Sequence, residues 1–600
     1  VSIFSPNGSA DGAGARLDRR YQPVTDQDRY KWVALSNTTL GIFLATVDSS
    51  IMLIAMPDIF KGIKLDPLLP GNSFYLLWMI LSFLVVTSVL VVSLGRLGDL
   101  YGRVRMYNLG FAVYTFFSLL LTITWMSGTT AALYLVVMRI FQGVGAAFLA
   151  ANSGAILTDA FPEHQRGMAL GINQVAGISG TFIGLVLGGV LAPIQWRLIF
   201  LVSVPTGLFG TVWAYLKLRE VPRRTEGRID WLGNFTFAAG LVLLLIGITY
   251  GIQPHGGQSM GWSSPFVLLM LASGLALVGL FVLIEKRVPE PMFRLSLFRI
   301  RAFTAGSVST LLSGISRGGL MFMLIIWLQG IWLPLHGYDA VRTPLWAGIY
   351  MLPLTGGFLL AGPISGILSD RYGSRPFATG GMLMAALSFG LLELLPVNFP
   401  YLVFALLIFF NGMSMGAFAA PNRAGVMNSL PAAHRGVGSG MNSTFQNSSQ
   451  VLSIGIFFTL MILGLSSTLS TTLFHGLVSQ GVPVADATRV AHLPPVSTLF
   501  AAFLGYSPMQ HLLGPQVLAK LPHAAAAHLL ARSYFPHLIS GAFARGLHAA
   551  FDFSIIASLV AAWTSWLRGG KYVYSEPDRV TATSGPAEPF TVLEPAEAAR

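Results

Sequence analysis

GRLGDLYGRVR, residues 95–105, decides the fold because the chain says it twice. The second copy, GILSDRYGSR at 366–375, sets Gly366, Asp370 and Gly373 against Gly95, Asp99 and Gly102, at an offset of 271 in the numbering. An independent pair of segments repeats the relation. FPEHQRG at 161–167 is answered by LPAAHRG at 430–436, so that Pro162 and Arg166 match Pro431 and Arg435 at an offset of 269. Two segments whose offsets agree so closely mark an internal duplication, which is sought before any single motif is weighed.

The surroundings of these copies define what is duplicated. The chain has 600 residues, 54% hydrophobic and 10% charged, too little polar surface to cover a soluble globule of that size. Apolar windows of about 20 residues, the length that crosses a bilayer, recur throughout. Gly, Pro and charge punctuation places helices near 32–60, 75–98, 106–127, 130–158, 168–194 and 197–218, then 232–253 and 266–284. A second set falls near 304–332, 346–369, 377–396, 401–429, 437–465 and 548–567. The expected fold is all-α: two pseudo-symmetric six-helix bundles with two inserted helices, 14 spans in total.

The net charge of +12 resides in alternate loops, the pattern of membrane topology and not of nucleic-acid binding. Arg96, Arg103 and Arg105, then Arg166, then Lys217 to Arg228, Lys286 to Arg301, and Arg371 with Arg375 share one side; the loops near 126–129, 255–265 and 397–400 have no Lys or Arg. Both termini are therefore expected in the cytoplasm of a bacterial cell, the chain lying in its inner or plasma membrane. The expected divisions are an N-terminal tail at 1–31, a bundle at 32–218, an inserted linker with two helices at 219–303, a second bundle at 304–567 and a tail at 568–600. The first tail is basic and lacks the pattern of a signal peptide; the last is rich in Pro, Ala and Glu. An external segment at 466–547 is too interrupted for a span and reads as short amphipathic helices in a solvated cap. His475, His492, His511, His523, His528, His537 and His548 fall there or at its end, with no compact ligand spacing. Cysteine is absent, which excludes disulfides.

Four segments carry chemistry. Asp48, in ATVDSSIMLIAMP, lies about 16 residues, or roughly 24 Å, into the first helix. A carboxylate at that depth needs a cavity or a partner, and alternating exposure would let it load and release a proton; a structural ion pair that never titrates is the competing reading. Arg139 opens RIFQGVGAA in helix 4, about 27 Å from the end that carries Arg166, nearly the depth of Asp48. Helix 5 contributes GISGTFIGLVLGG, where Gly180, Gly184, Gly188 and Gly189 form a smooth face, used either for packing alone or for sliding. Together with GRLGDLYGRVR, these motifs in this order resemble the 14-helix drug:proton antiporter family of the major facilitator superfamily, the multidrug and quaternary-ammonium exporter type, over nearly the whole chain.

The resemblance implies that Gly95, Asp99, Gly102 and Arg103, with Asp370 and Gly373 in the second copy, latch one conformation. It implies that Arg139 takes part in proton coupling with Asp48, and that the helix-5 segment is the antiporter motif. Leu185 stands where that motif has proline, which weakens the inference to antiport. The offset of 269 carries Asp48 onto Arg317, in LSGISRGGLMF of helix 9. If both face the centre, the spans hold one acid, Asp48, against two bases, Arg139 and Arg317, and neutral, zwitterionic or anionic amphiphiles would be tolerated; an anchoring role for Arg317 is the alternative. Gln142, Asn173, Gln174, Asn442 and Gln446 either line a route or bond across helices.

The leading functional reading is a secondary exporter of hydrophobic or amphipathic small molecules, working by proton-coupled alternating access, with the proton as coupling ion and no other cofactor or metal. Its partners are a small-molecule substrate and the lipid bilayer, with no nucleic acid, and the expected state is a monomer. An importer, symporter or uniporter on the same fold is the nearest rival. A receptor or scaffold without flux is disfavoured by the deep charges. An enzyme is disfavoured because no nucleotide-binding loop, zinc pattern or paired intramembrane acids appear.

Overall fold

The computed structural model describes residues 26–66, 69, 71–220, 230–253, 255–256, 260–289, 291, 293–339, 341–431, 435–504 and 509–569. Residues 1–25 and 570–600 of the two expected tails, and Arg223, Arg224 and Arg228, lie outside the described residues, as do the side chains of Arg166, Asp370 and Arg435.

Helices are the form in which an apolar segment can cross a bilayer with its backbone hydrogen bonds satisfied internally. Among the described residues, fourteen are long and apolar enough to do so: α1 (Arg29–Gly62), α2 (Phe74–Tyr101), α3 (Arg103–Thr122), α4 (Gly128–Ala160), α5 (Met168–Ile194), α6 (Leu198–Lys217), α7 (Trp231–Gly251), α8 (Pro265–Glu285), α9 (Arg301–Leu335), α10 (Thr343–Ser369), α11 (Ser374–Glu393), α12 (Tyr401–Asn428), α13 (Val437–Ser466) and α14 (Tyr534–Trp566). Thirteen match the sequence reading within a few residues. α14 differs: it starts at Tyr534 and not near 548, so part of the segment expected outside, 466–547, belongs to the last span. Pro536 sits in its first turn, where proline needs no hydrogen-bond partner.

The duplication is visible in the packing. α1 packs on α5 as α9 packs on α13; α4 lies between α2 and α3 as α12 lies between α10 and α11; and α3 meets α6 as α11 meets α14. Equivalent small residues make equivalent approaches. A β-carbon at Gly95 would lie 3.7 Å from Ala151, and one at Gly366 would lie 3.7 Å from Ala420. Gly110 abuts Phe148, and Gly381 abuts Phe418. Such close approach is how helices associate where lipid removes the hydrophobic drive between them. α7 and α8 form a hairpin whose α7 touches α2 and α13; α8 is the most peripheral span.

Both copies of the repeated motif turn on a single residue. α2 ends at Tyr101 and α3 starts at Arg103, with Gly102 between them at φ +109°; Gly373 joins Tyr372 to Ser374 at φ +87°. Only glycine occupies that left-handed region without steric penalty, so the repeated glycine is a backbone requirement.

The bundle has a basic end, defined by the Gly102 and Gly373 turns, and an opposite end. The two halves meet closely at the opposite end. A β-carbon on Gly189 of α5 would collide with the Leu345 backbone of α10, and one on Gly348 of α10 would lie 3.0 Å from the Leu185 carbonyl oxygen. Gln329 of α9 donates to the Ile54 carbonyl of α1 at 3.4 Å. The segment between α13 and α14 completes this seal, and it departs from the solvated cap expected. Its helix Pro495–Phe503 is buried at every residue and packs against α9, α13 and α2. Phe503 meets Phe322 of α9 and Phe500 meets Phe458 of α13, with ring centroids 5.6 and 5.4 Å apart. The loop between α13 and α14 has thus contributed an apolar plug to the core of the bundle.

Candidate functional site

Asp48, Arg139 and Gln142 come together just beyond the middle of the first bundle, fully buried where α1 crosses α4. Arg139 Nη1 donates both to Asp48 Oδ2, in a short contact, and to Gln142 Oε1 at 2.8 Å. Gln142 Nε2 donates to Asp48 Oδ1 at 3.1 Å and to Ser118 Oγ of α3 at 2.8 Å. Both carboxylate oxygens are therefore occupied. The guanidinium also donates from Nε to the Met79 carbonyl at 3.4 Å and lies 4.4 Å from the Phe83 ring centroid. Residues 139 and 142 share a helix face because they are three apart. A buried pair of this kind is retained only if its remaining lone pairs and protons are satisfied; removing one partner costs about 3–5 kcal/mol. Chemically, the arrangement neutralises the Asp48 carboxylate with the Arg139 cation inside the apolar core. Ser118, Met79 and Phe83 escaped the sequence reading, since nothing in a serine, a carbonyl or one more phenylalanine marks it from a distance.

The small residues of α5 close α1 onto this site. β-carbons at Gly180, Gly184 and Gly188 would run into Thr46, Val47 with Ser50, and Ile54, the turns of α1 that flank Asp48. Gly189 and Leu185 face the other half, as described above.

At the basic end, Arg103 donates to Asp99 at 2.8 Å and to Asp159 of α4 at 2.8 Å. The Glu220 carboxylate accepts from the backbone N–H of Arg105 at 3.0 Å and of Val104 at 3.4 Å, an anion at the N-terminus of α3. Asp159 and Glu220 are additions to the latch residues anticipated from the motif. Glu220 lies at the end of a basic loop, where its charge reads as topology. In the second copy Gly373 takes its place in the turn, and a different group ties the corner. Arg568, two residues past α14, is buried and donates to Ser374 of α11 at 3.1 Å and, in a short contact, to Asn422 of α12. Burial pushes its guanidinium down to about 10. The tail expected from 568 thus begins after a residue that belongs to the bundle.

The remaining candidates separate by what they touch. Asn173 donates to Ser153 of α4 at 3.1 Å, a bond within the first half. Asn442 accepts from Thr310 of α9 at 3.0 Å, in a chain that continues to Asn422 and Arg568. Gln446 is exposed on α13. Gln174 accepts from Arg423 of α12 at 3.1 Å, a bond between the halves near the basic end; Arg423, five residues from the end of its span, is a further cation inside a span that the sequence reading did not single out. Arg317 lies at the middle of α9, one residue before the helix is interrupted at Gly318 and Gly319. Ser453 of α13 bridges the interruption by accepting from Gly319 N at 2.9 Å and donating to the Ile315 carbonyl at 2.6 Å. Among the described residues Arg317 itself donates only to Ser313, to its hydroxyl and its carbonyl, and lies 5.6 Å from the Phe418 ring centroid. It forms no ion pair among the described residues. Among them, too, no three His, Asp or Glu side chains gather as a metal-ligand set.

Two bundles built on one duplicated plan, with a buried acid–base pair in the first and none among the described residues of the second, fit a membrane transporter. The chain belongs to the major facilitator superfamily, whose sequence profile matches residues 38–454. Among characterised relatives it is 28% identical to the riboflavin transporter RibZ of Clostridioides difficile, over 72% of this chain and 88% of that one. It is 26% identical to the tetracenomycin C resistance and export protein of Streptomyces glaucescens, over 78% and 84%. In fold it resembles the inward-facing, occupied structure of a bacterial homologue of the human lysosomal transporter Spinster, with a TM-score of 0.55 at 14% identity, covering 91% of this chain and 99% of that one.

Proposed function

We propose that the protein exports hydrophobic or amphipathic small molecules in exchange for protons, in a bacterial cell membrane, as a monomer with its basic end in the cytoplasm. The observation that carries this reading is the Asp48, Arg139 and Gln142 cluster, a carboxylate held in the core of one half by a cation that a proton can replace. Protonation of Asp48 would free Arg139 and loosen α1 from α4. Each proton entering supplies about 2.3 kcal/mol per 100 mV of membrane potential. The Arg103 network and the Gln174 to Arg423 bond would then be remade as the basic end closes and opens. A relative named for tetracenomycin C resistance and export supports the direction. The relation to a riboflavin transporter, with Leu185 in place of the motif's proline, favours an uptake or facilitated mode as the second reading.

Proton release on substrate addition tests the proposal, using detergent-purified protein, a panel of charged and neutral amphiphiles, and Asp48→Asn beside the wild type. Displacement of protons by an amphiphile in the wild type and not in Asp48→Asn is the result expected. Substrate binding without proton release in either protein would refute proton exchange and leave the second reading.

A further inference from the structure

The duplication identifies a polar site in the second half that mirrors the Asp48 cluster and has opposite charge. FQG at 141–143 in α4 is answered by FNG at 410–412 in α12, again at the offset of 269, so Asn411 is the counterpart of Gln142 as Arg317 is of Asp48. α9 packs on α12 as α1 packs on α4, and Gly412 meets α10 as Gly143 meets α2. The polar groups, however, are treated differently. In the first half every polar atom of the Asp48 carboxylate and the Gln142 amide has a partner. In the second, Asn411 is fully buried and neither atom of its amide has a hydrogen-bond partner; Arg317 Nη1 is likewise buried without one. Ile408 stands where the first half has Arg139. A buried amide without a partner costs about 1–3 kcal/mol, and a guanidinium more, so two such groups on facing helices call for a ligand.

We infer that Arg317 and Asn411 bind the anionic group of an amphipathic substrate: a carboxylate, sulfonate or phosphate. The repeat, which sets Gln142 against Asp48 at 3.1 Å in the first half, is the ground for giving both groups one anion: it would accept charge-assisted bonds from the guanidinium and one from the amide NH2, with the apolar remainder along Phe418, whose ring lies 5.6 Å from Arg317. A cationic amphiphile leaves Arg317 uncompensated, and a neutral one supplies only weaker acceptors. The inference deepens the exporter reading by naming its substrate class, and it rests on that reading for the word substrate but not for the site.

The test is binding of three radiolabelled probes of one chain length, decanesulfonate, decanol and decyltrimethylammonium, to the full chain in nanodiscs of zwitterionic lipid. Decanesulfonate is expected to bind best. Arg317→Gln and Asn411→Leu should each weaken it by about tenfold or more while leaving decanol within twofold, and Arg317→Lys should restore part of the loss, which a merely unfolded variant cannot do. Repeating the measurement in nanodiscs containing phosphatidylglycerol distinguishes the sources. Weakened sulfonate binding there assigns the site to a lipid headgroup, and unchanged binding assigns it to a free organic anion. Sulfonate affinity no greater than that of decanol in the wild type, or unaltered by Arg317→Gln, overturns the site. Intact sulfonate binding with no transport of any probe refutes the exporter reading alone.

Discussion

The seal at the end opposite the basic loops makes a demand on the transport cycle that a pair of cysteines can test. Alternating access requires α5 and α10 to part there, and Leu185 and Gly348 are where they touch. A β-carbon on Gly348 would lie 3.5 Å from that of Leu185, at the short end of the range, about 3.5–4.5 Å, that a disulfide spans. The chain contains no cysteine, so Leu185→Cys with Gly348→Cys introduces the only pair. The substitutions are tolerable: the new β-carbon asks the Leu185 carbonyl, 3.0 Å away, to yield a few tenths of an ångström, and trimming buried Leu185 costs about 2 kcal/mol. Oxidation should bring uptake of a fluorescent amphiphile into everted vesicles, the equivalent of export from the cell, down to background, and reduction should restore it. The buried helix 495–503 provides the control. Exposing Val496, Leu499, Phe500 and Phe503 to water would cost about 1.5–3 kcal/mol each, on the order of 6–12 kcal/mol together. One proton driven by 100 mV supplies only about 2.3 kcal/mol. The plug must therefore travel with the half that buries it, α9 and α13, and slide past α2. A cross-link from Gly330→Cys to Ala502→Cys, where a β-carbon on Gly330 lies 3.3 Å from the Ala502 carbonyl carbon, should leave export at the rate of the single variants. Full export by the oxidised 185/348 pair, or its loss in the oxidised 330/502 pair, would refute this account of the seal.

Four further outcomes follow from contacts in the structure. Gly184→Ala, whose methyl would strike Val47 and Ser50, should lower thermal stability and folded yield, while Gly171→Ala on the same helix, with nothing within 4 Å, should be silent in the same melting assay. Gly102→Ala and Gly373→Ala should each cost about 1–2 kcal/mol because an L-residue is strained at their φ; the first should cost more, since its methyl also meets Glu220 at 2.8 Å. Ser118→Ala removes one of two acceptors from Gln142 Nε2 and should cost about 1 kcal/mol with proton release on substrate addition unchanged. Gln142→Leu, which removes the donor to Asp48 Oδ1, should cost about 1–3 kcal/mol in the same melting assay, more than Ser118→Ala.

The parts of the fold that a sequence discloses are those fixed by composition over the length of a span or by repetition. Thirteen spans, both glycine turns and the joining of Asp48 to Arg139 fall in that class, because apolar length, a left-handed corner and the cost of a lone charge in hydrocarbon leave few choices. What was not legible depends on who packs against whom. PVSTLFAAF at 495–503 is too short for a span, and only its contacts with α9 and α13 show that it is core. The first turns of α14 carry Pro536, His537 and Arg545, polar enough to disguise a helix that is continuous to Trp566. Arg568 looks like a tail residue until Asn422 and Ser374 are seen beside it. Asn411, by contrast, was available in the repeat and needed only the offset to be applied to Gln142. The small residues that set helix spacing recur faithfully in both halves, Gly95 with Gly366, Gly110 with Gly381 and Gly143 with Gly412. The deep polar residues do not: aspartate faces arginine, and arginine faces isoleucine, across the pseudo-twofold relation. A duplicated bundle that keeps its packing and changes its charges has preserved what it needs to fold and move, so the mismatched positions, Asp48 against Arg317 and Arg139 against Ile408, are where the work done by each half differs.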